Sequence, residues 1–473
     1  MTIRPDELAG RRVTVMGLGL HGGGLASALF FARRGARVTV TDFRRDTSAF
    51  APLLPRLEAL RVRAVLGRHE EADFTDTDLV VKNPAVPESS PYLALARARG
   101  IPVETDLSIF LQLVPGPLLA VTGTKGKSTT ASAMHHCLRG RFPGARLGGN
   151  ITVSPLEFLE ELEPGDPVVL ELSSWQLADL RGRGLLAPAV SVLTCILPDH
   201  LDRYPDMESY VADKRVLFSG QRPEQLAVFN AEDPWQQGFP GGTAARVRWY
   251  SGRALPADRP GAWLEGGLGL CREPDGPVET ILGPDLRLPG LHNRLNLLCA
   301  ALACRRFGLE AEAVASAMAA FPGIEHRLEL ALEKEGVRFY NDSAATIPQA
   351  TAAALASLPP PLYLITGGTD KNLDFGPLAE AASLASRIYL LSGSGTRKIA
   401  AELDRRGIAY EGPFPALKEA VERAWAEARA EALRRGGGCT VLFSPGCASF
   451  ELFLNEFDRG RRFKELLRSL SGS

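Results

Sequence analysis

The chain has 473 residues, 45% hydrophobic and 23% charged, with a formal net charge of −1; that length suits about three domains, and the charge balance excludes the basic field of a nucleic-acid or anionic-membrane binder. The seven scattered cysteines contain no CxxC pair, which points to a reducing, cytoplasmic setting. No apolar run approaches the roughly 18 residues of a membrane span and no export-type apolar region opens the chain, so neither insertion nor secretion is expected.

Residues 1–115 alternate strand and helix patterns. Val13–Met16 reads as a strand, Gly17–Gly22 as a glycine turn, Gly24–Arg34 as a helix, Arg37–Asp42 as a second strand and Leu79–Val81 as a later one. This is the βαβ pattern of a parallel sheet. Gly17, Gly19 and Gly22, with Asp42 twenty residues further on, spell the formal dinucleotide fingerprint. The same turn binds many other phosphates or only packs helix on strand, and beside the phosphate loop described next it favours a nucleotide diphosphate over NAD(P).

Val114–Pro117 reads as a linker, and a second α/β block spans 116–322. It opens with the apolar run Pro117–Val121, then Thr122-Gly123-Thr124-Lys125-Gly126-Lys127-Ser128-Thr129-Thr130, then a helix from Ala131 to Leu138. Strand, glycine-rich turn, Lys-Ser/Thr and helix form a phosphate cradle, with the lysine reaching the β/γ-phosphates and the Ser128 hydroxyl holding Mg²⁺. The usual pattern has a glycine where Val121 stands, so the loop is a shortened variant. Glu171 closes the strand Val168–Leu172, in position to hold Mg²⁺ directly or through water. Asp199-His200-Leu201-Asp202 follows the strand Ala189–Leu193, and Lys214 lies on a helix. Residues 233–290, rich in Gly and Pro, are expected as short antiparallel strands and loops. A helix from Asn293 to Phe307 follows, in which Asn293 and Asn296 either cap the helix or read a base.

The third block, 323–473, follows the Phe321-Pro322-Gly323 turn. Its expected strands are Val337–Tyr340, Leu362–Thr366, Ile388–Leu391 and Thr440–Phe443, with helices between them in another doubly wound sheet. Arg327 at the block junction suits a transferring phosphate, and Asp342 at a strand end suits ribose or metal.

Taken together and in order, GTKGKSTT at 123–130, GGN at 148–150, ELSSWQL at 171–177, DHLDRY at 199–204, DK at 213–214, LPGLHNRLN at 288–296, HR at 326–327 and NDS at 341–343 resemble the Mur ligases over the whole chain. The resemblance is strongest to the members that add glutamate to UDP-N-acetylmuramoyl-L-alanine, through Gly367–Asn372, Ser444–Phe450 and Arg459-Gly460. It implies three consecutive α/β domains: Rossmann-like at 1–115, P-loop ATPase-like at 116–322 and Rossmann-like at 323–473. It implies that Gly17, Gly19, Leu20 and His21 hold the UDP moiety, with Asp42 and Arg44 near the uracil. Gly123, Thr124, Lys125, Gly126, Lys127, Ser128 and Thr129 would take the ATP phosphates and one Mg²⁺. Glu171, His200 and Lys214, the lysine carbamylated by CO₂, would take a second Mg²⁺. Asn150 would meet the muramoyl-alanine part or a phosphate; Asn293, Asn296, Arg327 and Asp342 would contact ATP; Thr346, Lys371, Ser449 and Phe450 would hold glutamate.

The chain departs from the family twice. The usual NDSKAT reads Asn341-Asp342-Ser343-Ala344-Ala345-Thr346, without the lysine, and the phenylalanine usual after the SPxxAS motif is displaced, with Glu456 ahead of Phe457. Related ligases that add L-glutamate also lack that lysine, so D- and L-glutamate both stay open as donors. The implied chemistry is peptidoglycan synthesis through an acyl phosphate shielded from water by closure about a hinge near 320–325. The expected protein is a monomer acting on small molecules. A folylpolyglutamate-synthase-like ligase shares the ATP core but normally lacks the glycine-turn first domain. A dehydrogenase would leave residues 121–130 unexplained, and a nucleotide-binding scaffold without activity is kept open by Ala344.

Overall fold

The computed structural model describes residues 3–19, 23–45, 50–151, 153–199 and 204–471. They form two compact units, Met1–Pro284 with Leu295–Ala319, and Asp285–Arg294 with Ala320–Ser473. Each contains parallel sheet, as alternating apolar strands and amphipathic helices require.

The first unit holds two sheets. Strands β1 (Arg12–Met16), β2 (Arg37–Asp42), β3 (Arg63–Leu66), β4 (Leu79–Lys82) and β5 (Val103–Glu104) pair in parallel in the order β3-β2-β1-β4-β5. The order reverses between β1 and β4, which opens a crevice beyond their carboxyl ends. The helix Gly23–Arg33 packs against this sheet through Leu25, Phe30 and Phe31. It starts so close to β1 that a Cβ on Gly24 would lie 2.2 Å from the Gly17 carbonyl oxygen.

The second sheet is built from β6 (Leu118–Thr122), β7 (Arg146–Gly149), β8 (Val168–Glu171), β9 (Val190–Leu193), β10 (Leu226–Asn230), β11 (Arg246–Ser251), β12 (Gly261–Glu265), β13 (Leu268–Arg272) and β14 (Val278–Leu282). Its order is β14-β13-β12-β11-β10-β9-β6-β8-β7. The expectation of antiparallel strands throughout 233–290 holds only for β12-β13-β14; β11 runs parallel to β10, and β12 parallel to β11. The reason lies at Gly261, where a Cβ would fall 1.9 Å from the Trp249 carbonyl oxygen. Only glycine lets the strands approach so closely at its φ of +153°, so one glycine that reads as loop continues the sheet.

Polar ties fasten the first sheet's layer to the second within this unit. Lys82, 4% exposed, pairs with Asp179 at 2.8 Å. Arg183 pairs with Glu104, Arg34 with Glu160, and the Ser154 hydroxyl donates to Asp106 at 2.9 Å.

The second unit carries β15 (Glu329–Lys334), β16 (Val337–Asn341), β17 (Leu362–Thr366), β18 (Arg387–Leu391), β19 (Glu411–Phe414) and β20 (Cys439–Phe443), ordered β15-β16-β20-β17-β18-β19. Only β15 is antiparallel to its neighbour. Layers of apolar side chains cover both faces, one including Leu364, Leu390 and Leu442, the other Phe339, Ile365 and Phe443. The expected Asn293–Phe307 helix runs instead from Leu291 to Arg305. Asn293 therefore lies inside it and does not cap it; its side-chain amide donates back to the Pro289 carbonyl at 2.8 Å.

Candidate active site

In the first unit, β6 delivers the chain to the phosphate loop at the carboxyl edge of the sheet. Gly123 has φ +148°, and a Cβ there would lie 1.9 Å from Thr194 Oγ1. Gly126, left-handed at φ +87°, starts the helix Lys127–Arg139, which has no side-chain cap. The N-terminus of this helix, at Ser128 and Thr129, is the kind of place that suits an anion. Long-range bonds hold the loop in shape. Thr194 Oγ1 donates to the Lys125 carbonyl at 2.6 Å, the Thr124 amide to the Cys195 carbonyl at 2.6 Å, and Thr124 Oγ1 contacts the Tyr210 hydroxyl at 3.0 Å. Lys127 Nζ donates to the Gly123 and Thr124 carbonyls at 3.0 and 2.9 Å, while Lys125 pairs with Asp199 at 3.2 Å. A Cβ on Gly126 would meet Asn296 Oδ1 at 2.3 Å, so the amide of Asn296 lies against the loop.

Glu171 ends β8 directly beside Val121, the last strand residue but one before the loop. It is 2% exposed; its Oε1 accepts from Asn150 Nδ2 at 2.9 Å, and its Oε2 has no hydrogen-bond partner among the described residues. A buried carboxylate oxygen without a donor is costly unless a cation or water completes it. Lys214 is 1% exposed on the helix Met207–Ser219, and its Nζ donates to the Gly123 carbonyl at 2.8 Å. Burial, together with the nearby Lys127 charge, lowers its pKa to about 7. His200 lies outside the described residues, as do Leu20 and His21.

At the first sheet, Gly17 and Gly19 adopt φ of +90° and +67° over Asn83. The Asp42 carboxylate closes this turn: Oδ2 accepts the amides of Leu18 at 2.9 Å and Gly19 at 3.3 Å, and Oδ1 accepts that of Arg44 at 2.9 Å. An acid committed to the loop's own backbone differs from one presented to a ribose 2′-hydroxyl, as the dehydrogenase reading requires. Arg44 itself is exposed.

The second unit gathers another set. Asp342 is 7% exposed after β16; the Leu328 amide donates to its Oδ1 at 3.1 Å and the Ser444 hydroxyl to its Oδ2 at 2.7 Å. Burial pushes its carboxyl up to about 7. Arg327 is exposed beside buried His326. Arg459, which in the sequence stands out only as part of a motif, is the hub: 1% exposed, it donates to the carbonyls of Ser343, Cys447 and Ala448 at 2.8, 3.1 and 3.2 Å. Thr369 and Ala448 exchange backbone hydrogen bonds, joining the Gly367–Asn372 and Ser444–Phe450 loops. Ser449 is buried there, and Lys371 Nζ stands 4.9 Å from the ring centre of exposed Phe450. The Gly446 amide donates to the Ala345 carbonyl, bringing the turn that carries Thr346 to the same loops. Lys371, Ser449, Phe450 and the Thr346 turn thus meet in this unit, as do Lys127, Glu171, Asn150, Lys214 and Asn296 in the first. Tyr210 and Thr194, which hold the phosphate loop, carried no sequence signal, because their contacts span 86 and 69 residues.

Comparison with known proteins matches three family profiles in order: Mur ligase MurD-like N-terminal domain at residues 11–105, Mur ligase middle domain at 121–304, and Mur ligase glutamate ligase domain at 326–445. Two curated relatives carry the name UDP-N-acetylmuramoylalanine--D-glutamate ligase. The protein from Treponema pallidum is 41% identical and that from Roseiflexus sp. 42%, each over 98% of this chain and over 98% and 100% of its own length, respectively. The fold is similar to the crystal structure of UDP-N-acetylmuramate-alanine ligase from Thermotoga maritima, with TM-score 0.60 and 21% identity over 97% of this chain and 99% of that one.

Proposed function

The chain belongs to the Mur ligase family, and on that premise we propose that it is the ATP-dependent, ADP-forming ligase that adds D-glutamate to UDP-N-acetylmuramoyl-L-alanine in peptidoglycan biosynthesis. The observation that carries this reading is the strapped phosphate loop with the unsatisfied Glu171 oxygen beside it, in a chain whose full-length relatives bear that activity's name.

A carboxylate is a poor acyl donor at neutral pH, so the muramoyl-alanine carboxylate must first take a phosphoryl group. The Lys127 ammonium and the first amides of its helix hold the triphosphate and offset charge as that group moves. The donor set suits Mg²⁺: Ser128 for one ion, and Glu171, His200 and Lys214 for a second. Bound there, Mg²⁺ supplies charge neutralisation at the phosphates. Lys214 joins such a set only as an anion. Its pKa of about 7 leaves much of the amine neutral near pH 7; the nitrogen adds to the carbon of CO₂ and releases a proton, giving a carbamate. Asn150 orients Glu171 through its amide. Asn296, Asn293, Arg327 and Asp342 are assigned to ATP. Gly17, Gly19, Leu20, His21, Asp42 and Arg44 are assigned to the UDP moiety.

Lys371, Ser449, Phe450 and Thr346 are assigned to the incoming amino acid, whose amine attacks the acyl phosphate and expels phosphate. Lys371 is an accessible cation at that cluster beside buried Arg459, where Ala344 supplies none. The three functional lobes are assigned to 1–115, 116–322 and 323–473, and the protein to the cytoplasm as a monomer. No helix among the described residues is long and apolar enough to cross a membrane.

Phosphate release from ATP in the presence of UDP-N-acetylmuramoyl-L-alanine, with D- or L-glutamate in parallel, tests the reading. Release that depends on both the nucleotide substrate and D-glutamate is expected. Equal or faster release with the L-enantiomer, or release indifferent to the nucleotide substrate, would count against it.

A further inference from the structure

Phe43 follows directly on Asp42 at the carboxyl end of β2, and its ring is 59% exposed. A single exposed apolar residue ordinarily needs no explanation. This one is packed against a second ring. The His69 ring lies 5.3 Å away, inclined at 54°. His69 is fixed in turn by Thr41 Oγ1, 2.7 Å from its Nδ1, and by edge contacts with Phe74 at 5.6 Å and Tyr92 at 5.0 Å. Burial lowers the His69 pKa, so the ring stands neutral at pH 7 and suits an apolar stack. The backbone on either side is pinned as well, since Asp42 accepts the amides of Leu18, Gly19 and Arg44. The result is a pre-ordered aromatic ring with solvent on one side, at the edge of the glycine turn assigned to a uridine diphosphate.

Both Asp42 oxygens already accept backbone amides, and a carboxylate can in any case meet only the edge of a base, not its face. An aromatic face offers what every nucleobase accepts, a partner for its π-surface. We propose that Phe43, backed by His69, is the stacking platform for the uracil ring of the substrate; this rests on the assignment of the first lobe to the UDP moiety. Phe43 then sets affinity for the uridine end of the substrate, remote from the reacting carboxylate.

Isothermal titration of the full chain with UDP provides the test. Phe43→Ala should weaken UDP by roughly ten- to hundredfold, in line with the loss of one base–aromatic stack, and raise KM for the uridine substrate with little loss of kcat. Its thermal midpoint should stay put, because the ring is mostly exposed. Phe43→Trp should retain UDP affinity, and its fluorescence should be quenched by UDP but not by inorganic pyrophosphate. Gly19→Val serves as the control for the site itself, since a Cβ there would lie 2.8 Å from Asn83 Nδ2 at a φ of +67°. Unchanged UDP binding in Phe43→Ala, with loss in Gly19→Val, would overturn the stacking role and leave the first-lobe assignment standing. Unchanged binding in both would overturn that assignment too.

Discussion

Asp342→Asn in the second unit probes a buried acid whose ionisation opposes folding. The carboxyl is 7% exposed, and burial pushes its pKa from 3.8 up to about 7. Between those two values the native state holds a proton that the unfolded chain has released, so the native state binds more protons and stability falls as pH rises. The loss begins near pH 3.8 and is complete above pH 7. A rise from 3.8 to about 7 corresponds to about 4 kcal/mol in full, and about 3 kcal/mol of it falls between pH 5 and pH 8. Asparagine copies the neutral acid. Its oxygen can accept the Leu328 amide, and its NH₂ can donate to Ser444 Oγ, whose own hydroxyl can turn to Thr351 Oγ1 at 2.9 Å. The variant should therefore gain on the wild type as pH rises. Two compact units need not unfold together, so a single global unfolding energy is not the right readout. Hydrogen exchange of the β16, β17 and β20 amides in urea reports on this unit alone. The stability gap between variant and wild type should widen by about 3 kcal/mol from pH 5 to pH 8. A gap that stays constant over that range refutes the reasoning. If Asp342 also contacts ATP as assigned, the same variant raises KM for ATP, a stability gain set against function.

Lys127→Ala should lower phosphate release by at least about 10²-fold, the scale of losing one preorganised charge partner in a transition state, with an unchanged circular dichroism spectrum; retained turnover contradicts the cradle. Lys214→Ala should lose activity that short-chain carboxylates restore, because they replace the carbamate; absence of rescue removes the support for carbamylation. Lys82→Met removes the cation that pairs with Asp179 and Glu88, and should destabilise the first unit by about 3–5 kcal/mol, the scale of breaking a buried pair, read by hydrogen exchange of the β1 and β4 amides; a loss under about 1 kcal/mol would show that water reaches the pair.

The sequence alone determined the elements whose signals are local. Arg37–Asp42 and Leu362–Thr366 are strands over the residues predicted, and the GTKGKST loop sits between strand and helix as its spacing requires. Apolar alternation and a glycine forced to positive φ act over a few residues, so they can be read without a fold. What the tertiary structure decided depends on groups far apart in the chain. Glu171 becomes a buried acid, with one oxygen that meets no hydrogen-bond partner among the described residues, only once β8 is packed beside β6. Lys214 is brought to near-neutral pKa by closing 91 residues of chain onto the Gly123 carbonyl. Asp42 fastens a turn 24 residues earlier. Arg459 ties loops 116 and 12 residues away. Desolvation and long-range hydrogen bonding are properties of assembled space, and no window of sequence contains them.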